Sequence, residues 1–326
     1  MRRVRLESTR MRFLAIGLLF FVSGAMGCGM PRMLALRALV WFEGAEAPPL
    51  APKSDEGNAV RWFDEYYTLE WIDSSTIAIG EPRYHQQNYS YLILGDERAV
   101  LFDSGPGVRD IRPVVDELTE LPVIAAPSHL HFDHVGSQHR FDRVAMIDLP
   151  YLRARAPDGV LTPTEEEHLG FAENRSIQPL VVTDWWAAGD EIDLGGRRLH
   201  VLATPGHTTD SWALFDETRS QLFTGDYIYP GPLFAFLPNS SVGDYLATAD
   251  RLLARLPEHA RLLTAHRTGP PGAPRLAFRD LVDLRSALEK LRVGELEGEG
   301  LFPVVYPINE RISLWADRPA GQRWNR

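Results

Sequence analysis

Pro127-Ser128-His129-Leu130-His131-Phe132-Asp133-His134 is the stretch on which the reading of this chain turns. It puts three imidazoles and a carboxylate within six residues, in the order H-x-H-x-D-H. Both groups are ligands favoured by divalent zinc, iron and manganese. One short turn does not easily aim all four at a single ion. Two neighbouring ions suit it better, with His129 and His131 serving one and Asp133 and His134 the other. The expected chemistry is hydrolysis by a hydroxide shared between two metals, because coordination brings the pKa of water down to about 7. The bland alternative is a solvated His-rich loop, but with ten histidines in 326 residues such a cluster is improbable by chance.

Three motifs downstream weigh against the bland alternative. They are Thr204-Pro205-Gly206-His207-Thr208, Phe223-Thr224-Gly225-Asp226 and Leu262-Leu263-Thr264-Ala265-His266. Each follows an apolar run and presents a potential ligand, as a strand does when it delivers a side chain to a sheet edge. Together with the first stretch they resemble the metallo-beta-lactamase superfamily, over roughly Trp71 to His266.

The resemblance implies an α/β fold, a four-layer αββα sandwich. It implies one metal site at His129, His131 and His207, a second at Asp133, His134 and His266, and Asp226 bridging them. It also implies two divalent ions, zinc first, with iron or manganese as substitutes. Leu101-Phe102-Asp103-Ser104-Gly105 resembles the family's early D-x-G motif, whose Asp supports the metal loop from behind.

The expected catalytic groups are Asp133 as ligand and proton shuttle, Asp226 as bridge, and Tyr229 as a donor to the substrate carbonyl. Tyr227 is a weaker candidate for that last role. Branches of the family that destroy β-lactams typically lack the Asp at 226, whereas thioesterases, lactonases and phosphodiesterases keep it. Residues 128–134 look like the metal loop of N-acyl homoserine lactonases, and residues 225–237 look more like an acyl-thioesterase branch. The expected activity is therefore hydrolysis of a carboxyl thioester, ester or lactone of a small acyl substrate. The alternatives are a mononuclear iron sulfur dioxygenase, a β-lactamase, and a non-catalytic binding lipoprotein that keeps the fold. Leu233, Phe234, Phe236 and Leu237 are candidates to line an acyl pocket or to close the core.

Composition sets limits on these readings. A chain 44% hydrophobic can bury one large α/β domain or two small ones. A net charge of −10, with no Lys/Arg cluster near the motif, argues against a nucleic-acid partner. The start of the chain reads as an address. Arg2, Arg3, Arg5, Arg10 and Arg12 precede an uncharged run from Phe13 to Pro31, and Cys28, the sole cysteine, follows small residues. The expectations are a lipoprotein signal acylated at Cys28, a cleaved signal peptide, or a membrane anchor. All three place the domain outside the cytoplasm, periplasmic or membrane-anchored. The organisation expected is 1–27 signal peptide or anchor, 28–60 linker and 61–326 hydrolase domain. Within the linker, Met33 to Phe42 has the look of an amphipathic helix.

Strands are expected at 76–80, 91–94, 99–102, 123–125, 143–147, 191–194, 198–203, 212–215 and 221–223. Helices are expected at 108–118, 242–256 and 276–291. Residues 151–186 read as an irregular lid or helical insertion. Tyr84 and His85 sit in a polar loop that could face the site, with ordinary loop residues the favoured reading; His139, His168, His200 and His259 read as surface or core residues, and Trp185-Trp186 as a packed aromatic pair, with a cleft gate as the alternative.

Overall fold

The computed structural model describes residues 32–300, 302–318 and 324. The expected signal or anchor and Cys28 lie outside the described residues. Among the described residues, no helix is long and apolar enough to cross a membrane.

The chain begins with α1 (Arg32–Glu43) and then builds a six-stranded sheet in sequence order. Its strands are β1 (Val60–Trp62), β2 (Thr68–Asp73), β3 (Thr76–Gly80), β4 (Tyr89–Leu94), β5 (Ala99–Phe102) and β6 (Val123–Ala126). α2 (Arg112–Leu118) crosses from β5 to β6, which makes that pair parallel while the other pairs are antiparallel. α3 (Phe132–Val135) is a single turn after β6.

An insertion follows, with β7 (Ala145–Ile147), α4 (Pro150–Arg155), β8 (Val160–Leu161), α5 (Glu165–His168), a 3-10 turn (Gly170–Glu173), β9 (Leu180–Val181) and β10 (Asp184–Trp186). The second six-stranded sheet contains β11 (Glu191–Asp193), β12 (Arg198–Ala203), β13 (Trp212–Asp216) and β14 (Gln221–Phe223). After β15 (Gly231–Ala235) and α6 (Val242–Arg255) it is completed by β16 (Arg261–Leu263) and β17 (Arg275–Ala277). α7 (Phe278–Arg292), β18 (Val304–Pro307) and β19 (Ile312–Ala316) end the fold, the last two forming a small sheet with β15.

Alternation along the strands produces the layers, because successive side chains point to opposite faces. Tyr91, Ile93, Val100, Phe102, Leu214 and Phe223 share the core between the two sheets. Phe102 meets Trp212 edge-on at 5.4 Å, and Tyr91 meets Phe223 at 5.3 Å. Leu92 and Leu101 face outward, onto Val114 and Val115 of α2. Phe215, Leu222 and Leu262 face outward on the other side, onto α6 and α7. The order helix, sheet, sheet, helix is the expected αββα sandwich.

α6 shows why a helix sits there. Ser241 caps it by accepting from the Asp244 amide at 3.1 Å, and Val242, Tyr245, Leu246, Ala249 and Leu252 recur on one buried face. A fully buried Arg197 crosses between the sheets: it pairs with Asp216 at 2.8 Å and donates to Ser75 O at 2.6 Å and Thr76 Oγ1 at 2.8 Å.

The structure departs from the expected elements where proline and capping decide. Helix 108–118 starts only at Arg112, with Pro113 in its first turn, and residues 108–111 form a turn. Within residues 151–186, α5 starts at a capping box, in which Thr164 Oγ1 accepts from Glu167 N at 3.3 Å and Glu167 accepts from Thr164 N at 2.8 Å. Within the 28–60 segment, α1 covers the helix expected at Met33 to Phe42, and beyond it a buried Glu56 grips Arg267 through its carboxylate at 2.6 and 2.7 Å. Val304 to Tyr306 and Ile312 to Trp315 are strands, as their β-branched and aromatic residues suggest.

Candidate metal centre

All four ligand-bearing segments follow strand ends, at one rim of the sandwich. His129, His131, Asp133 and His134 follow β6, His207 follows β12, Asp226 follows β14 and His266 follows β16. The loop after β6 is pinned to the opposite sheet: Trp212 donates its indole N–H to Pro127 O at 2.6 Å and its amide to Ser128 O at 3.0 Å. His131 stands at the start of α3 in extended backbone, its carbonyl accepting from His134 N at 3.0 Å, and the single turn carries Asp133 and His134. Glycines permit two of the approaches. Gly225 has φ +50, and a Cβ there would lie 2.5 Å from Ser128; at Gly206 a Cβ would lie 2.7 Å from the Tyr245 ring.

The structure brings all seven expected side chains together, and all are buried. His129 Nε2 lies 2.9 Å from His131 Nδ1, and His207 Nε2 lies 3.0 Å from the same nitrogen. Asp133 Oδ2 is 3.4 Å from His134 Nε2 and 3.3 Å from His266 Nε2. Asp226 lies between the two groups. Its Oδ1 is 3.4 Å from His134 Nε2 and 3.1 Å from His266 Nε2, and its Oδ2 is 3.5 Å from His207 Nε2. Three triplets converge closely enough to hold an ion: His129/His131/His207, His129/His134/Asp226 and Asp133/His134/His266.

Two observations fit this donor set to cations. His134 Nε2 and Asp226 Oδ1 are buried without a hydrogen-bond partner, a costly condition that a cation would relieve. The outward ring nitrogens do have partners. His134 Nδ1 faces Asp103 Oδ2 at 2.9 Å, His207 Nδ1 faces Phe234 O at 3.0 Å and His266 Nδ1 faces Gln86 O at 3.1 Å. A proton held there leaves the Nε2 lone pair turned inward, the tautomer a ligand needs. Asp103, read from the sequence as a support, also accepts from Ser128 N at 2.6 Å and from Ser128 Oγ at 3.1 Å.

Burial pulls His129, His131 and His207 below the usual imidazole range, favouring their neutral form. Burial acts the same way on His134, but Asp133, Asp103 and Asp226 outweigh it and hold the ring well above that range. For His266 the outcome is similar, with Asp226 and Asp133 pushing it up to about 10 against burial. Asp133 and Asp226 lie well below the carboxylate range: burial would raise both, but the facing His134 and His266 prevail.

The cluster opens into a cavity of about 500 Å³. Its walls include Leu36, Val40, Leu169, Phe171, Phe234, Leu237, Pro232 and Tyr229, and its floor His131, Asp133, His207, Asp226 and His266. Tyr229 is a wall residue whose hydroxyl donates to Pro232 O at 2.6 Å, so donation to a substrate would require breaking that bond. Tyr227 is core, its hydroxyl on Tyr245 O at 2.8 Å. Phe234 and Leu237 line the cavity, whereas Leu233 belongs to the core.

Sequence reasoning missed several supporting groups. Asn88 Nδ2 donates to Asp133 Oδ2 at 3.1 Å, and Asp210 accepts from Leu130 N at 2.9 Å. Burial raises Asp210 to about 6. His85 lines the cavity and meets Glu173 at 2.5 Å, and Tyr84 also donates to Glu173. No local pattern marks these residues, because each contact joins distant segments.

A buried His/Asp cluster at the rim of a two-sheet sandwich is the arrangement of an enzyme of the metallo-hydrolase superfamily. A sequence model of the metallo-beta-lactamase superfamily matches residues 83–266, and the chain belongs to that superfamily. The human acyl-coenzyme A thioesterase MBLAC2 is 31% identical over 216 residues, covering 58% of this chain and 76% of that one. A hydroxyacylglutathione hydrolase of Synechococcus sp. (strain JA-3-3Ab) is 29% identical over 187 residues, covering 56% of this chain and 64% of the other. Among solved structures, a metallo-beta-lactamase from Pontibacter korlensis superposes with a TM-score of 0.51 at 19% identity, covering 68% of this chain and 99% of that one, which speaks to the fold alone.

Proposed function

We propose that this protein is a binuclear hydrolase that cleaves the thioester of an acyl substrate. The observation that carries the reading is the position of Asp226, whose two oxygens face both histidine groups at the floor of an apolar cavity. His129, His131 and His207 would hold one cation, Asp133, His134 and His266 the other, and Asp226 both. Two relatives whose names denote thioester cleavage favour a thioester over an ester, a lactone or a β-lactam. Bound divalent ions, zinc foremost, supply a water acidified to a pKa of about 7 and positive charge for the developing oxyanion.

The chain's own residues supply the rest. Asp226 offsets the mutual repulsion of two cations with its negative charge. Asp133 Oδ2 faces the cavity, held by Asn88, and is placed to carry a proton to the departing sulfur. That transfer is undemanding, because a thiol has a pKa of about 8.5. The apolar walls keep bulk water from the floor, which strengthens every charge interaction there. The reading also places the domain outside the cytoplasm, on the strength of the Arg-rich start, the apolar run from Phe13 to Pro31 and Cys28. Mass spectrometry of the mature N-terminus tests that part.

The activity is tested by steady-state hydrolysis of acyl thioesters, lactones and β-lactams, with metal content measured by mass spectrometry on the same sample. Thioester turnover with close to two ions per chain, lost on chelation and restored by zinc, is the expected result. Full turnover by metal-free protein would defeat the reading. Oxygen uptake with one bound iron would replace it with a dioxygenase.

A further inference from the structure

The family match begins at residue 83 and ends at 266, yet one apolar wall of the cavity comes from outside that span. Leu36 and Val40 of α1 line the cavity. Leu36 and Met33 also pack on an apolar cluster of Leu169, Phe236 and Leu237, which Phe302 and Trp315 join from the C-terminal end. Phe236 meets Phe302 at 5.6 Å, and Phe234 meets Trp315 at 5.7 Å.

α1 is anchored by specific bonds. Arg32 donates to Leu237 O at 2.7 Å and to Ser240 O at 3.1 Å, and pairs with Asp317 through Nε at 3.0 Å. Arg37 pairs with Glu165 and lies over the Phe171 ring at 5.8 Å. An exposed amphipathic helix would not need this anchorage to a cavity rim. The arginine that lines the cavity, Arg267, is gripped by Glu56, and His85 there meets Glu173. The α1 side of the cavity therefore presents apolar surface without a cation to receive a charged head.

We infer that α1 forms the wall of an acyl-chain slot and gives the enzyme preference for long acyl groups over short ones. The chain would run from the carboxyl carbon at the floor, past Phe234 and Phe171, to Leu36 and Val40. This rests on the hydrolase reading for its substrate, but the slot itself is a binding claim that can fail separately. Leu36 is half-buried, so replacing it by serine removes part of one side chain's apolar contact, about a threefold to tenfold effect on a ligand that reaches it.

The test uses the full chain with Leu36→Ser, Val40→Ser and, as a control on the outer face of α1, Leu34→Ser, which is 56% exposed. Two probes are used. The dodecanoyl and butanoyl thioesters of N-acetylcysteamine report turnover. The dodecyl thioether of N-acetylcysteamine, which cannot be hydrolysed, reports binding by calorimetry. Leu36→Ser and Val40→Ser should lower kcat/KM for the dodecanoyl thioester and weaken thioether binding, each by about threefold to tenfold. The butanoyl thioester and Leu34→Ser should show little change. Equal losses on both thioesters, unaltered thioether binding in the inner-face variants, or no thioether binding to the unmodified protein would overturn the slot. Thioether binding with the expected pattern but no thioester turnover would leave the slot standing and remove the thioesterase reading.

Discussion

Replacing Asp103 by asparagine should weaken zinc binding by about 10–100-fold while leaving the fold intact. The carboxylate receives three donors: Ser128 N on Oδ1 at 2.6 Å, and Ser128 Oγ at 3.1 Å and His134 Nδ1 at 2.9 Å on Oδ2. An amide of the same shape cannot serve all three. With its NH2 toward His134, two donors oppose each other unless the His134 proton moves to Nε2. That nitrogen faces Asp133 and Asp226 at 3.4 Å and would have to bind the ion. With the amide turned over, its NH2 opposes the Ser128 amide instead. Either way a buried hydrogen bond to a charged group is lost, worth about 1.5–3 kcal/mol. One factor of ten corresponds to about 1.4 kcal/mol, so the affinity estimate follows directly. Competition for zinc against a chromophoric chelator at neutral pH measures it. An affinity within about twofold of the unmodified protein would refute the tautomer argument, since the fold-change expected is at least fivefold larger.

Three further outcomes follow from other parts of the fold. Arg197→Met should destabilise the protein by about 3 kcal/mol, at the low end for breaking a buried pair because Arg219 stays 3.2 Å from Asp216; calorimetry showing an unchanged melting temperature would refute the tie between sheets. Gly225→Ala places a Cβ 2.5 Å from Ser128 at φ +50, so metal retention after dialysis should fall together with thermal stability; a variant that keeps both would show that the loop yields freely. His266 is raised to about 10, against about 6.5 for an unfolded histidine, so its ion pairs stabilise the metal-free fold fully below about 6.5 and are lost as pH climbs through about 10. Chelated protein should therefore lose melting temperature across that window, and a flat profile would contradict the pairing of His266 with Asp226 and Asp133.

The clustering of the candidate ligands was legible because it is written in residue types that have few other reasons to gather. The H-x-H-x-D-H loop, His207, Asp226, His266 and the supporting Asp103 all sit where strands end, and alternating apolar runs mark those ends. The cavity walls were much less legible. Gly231 and Pro232 discourage a strand, yet Gly231–Ala235 pairs with the C-terminal β19, which points Leu233 and Ala235 into the core and leaves Pro232 and Phe234 on the cavity side. The role of α1 depends on contacts with residues some two hundred positions away, such as Arg32 with Leu237, and no local periodicity encodes a distance of that kind. His85 looked like ordinary loop because its partner Glu173 lies in an insertion with no regular pattern of its own.

Every candidate triplet mixes the two halves of the sandwich: His207 joins His129 and His131, Asp226 joins His129 and His134, and His266 joins Asp133 and His134. Among the described residues, neither half brings three such ligands together by itself. An ion bound at this rim thus behaves as a rivet, adding its binding free energy to the cohesion of the halves by mass action. Metal supply therefore bears on stability as well as on activity, and a starved molecule loses that added cohesion at the seam where its proposed chemistry resides.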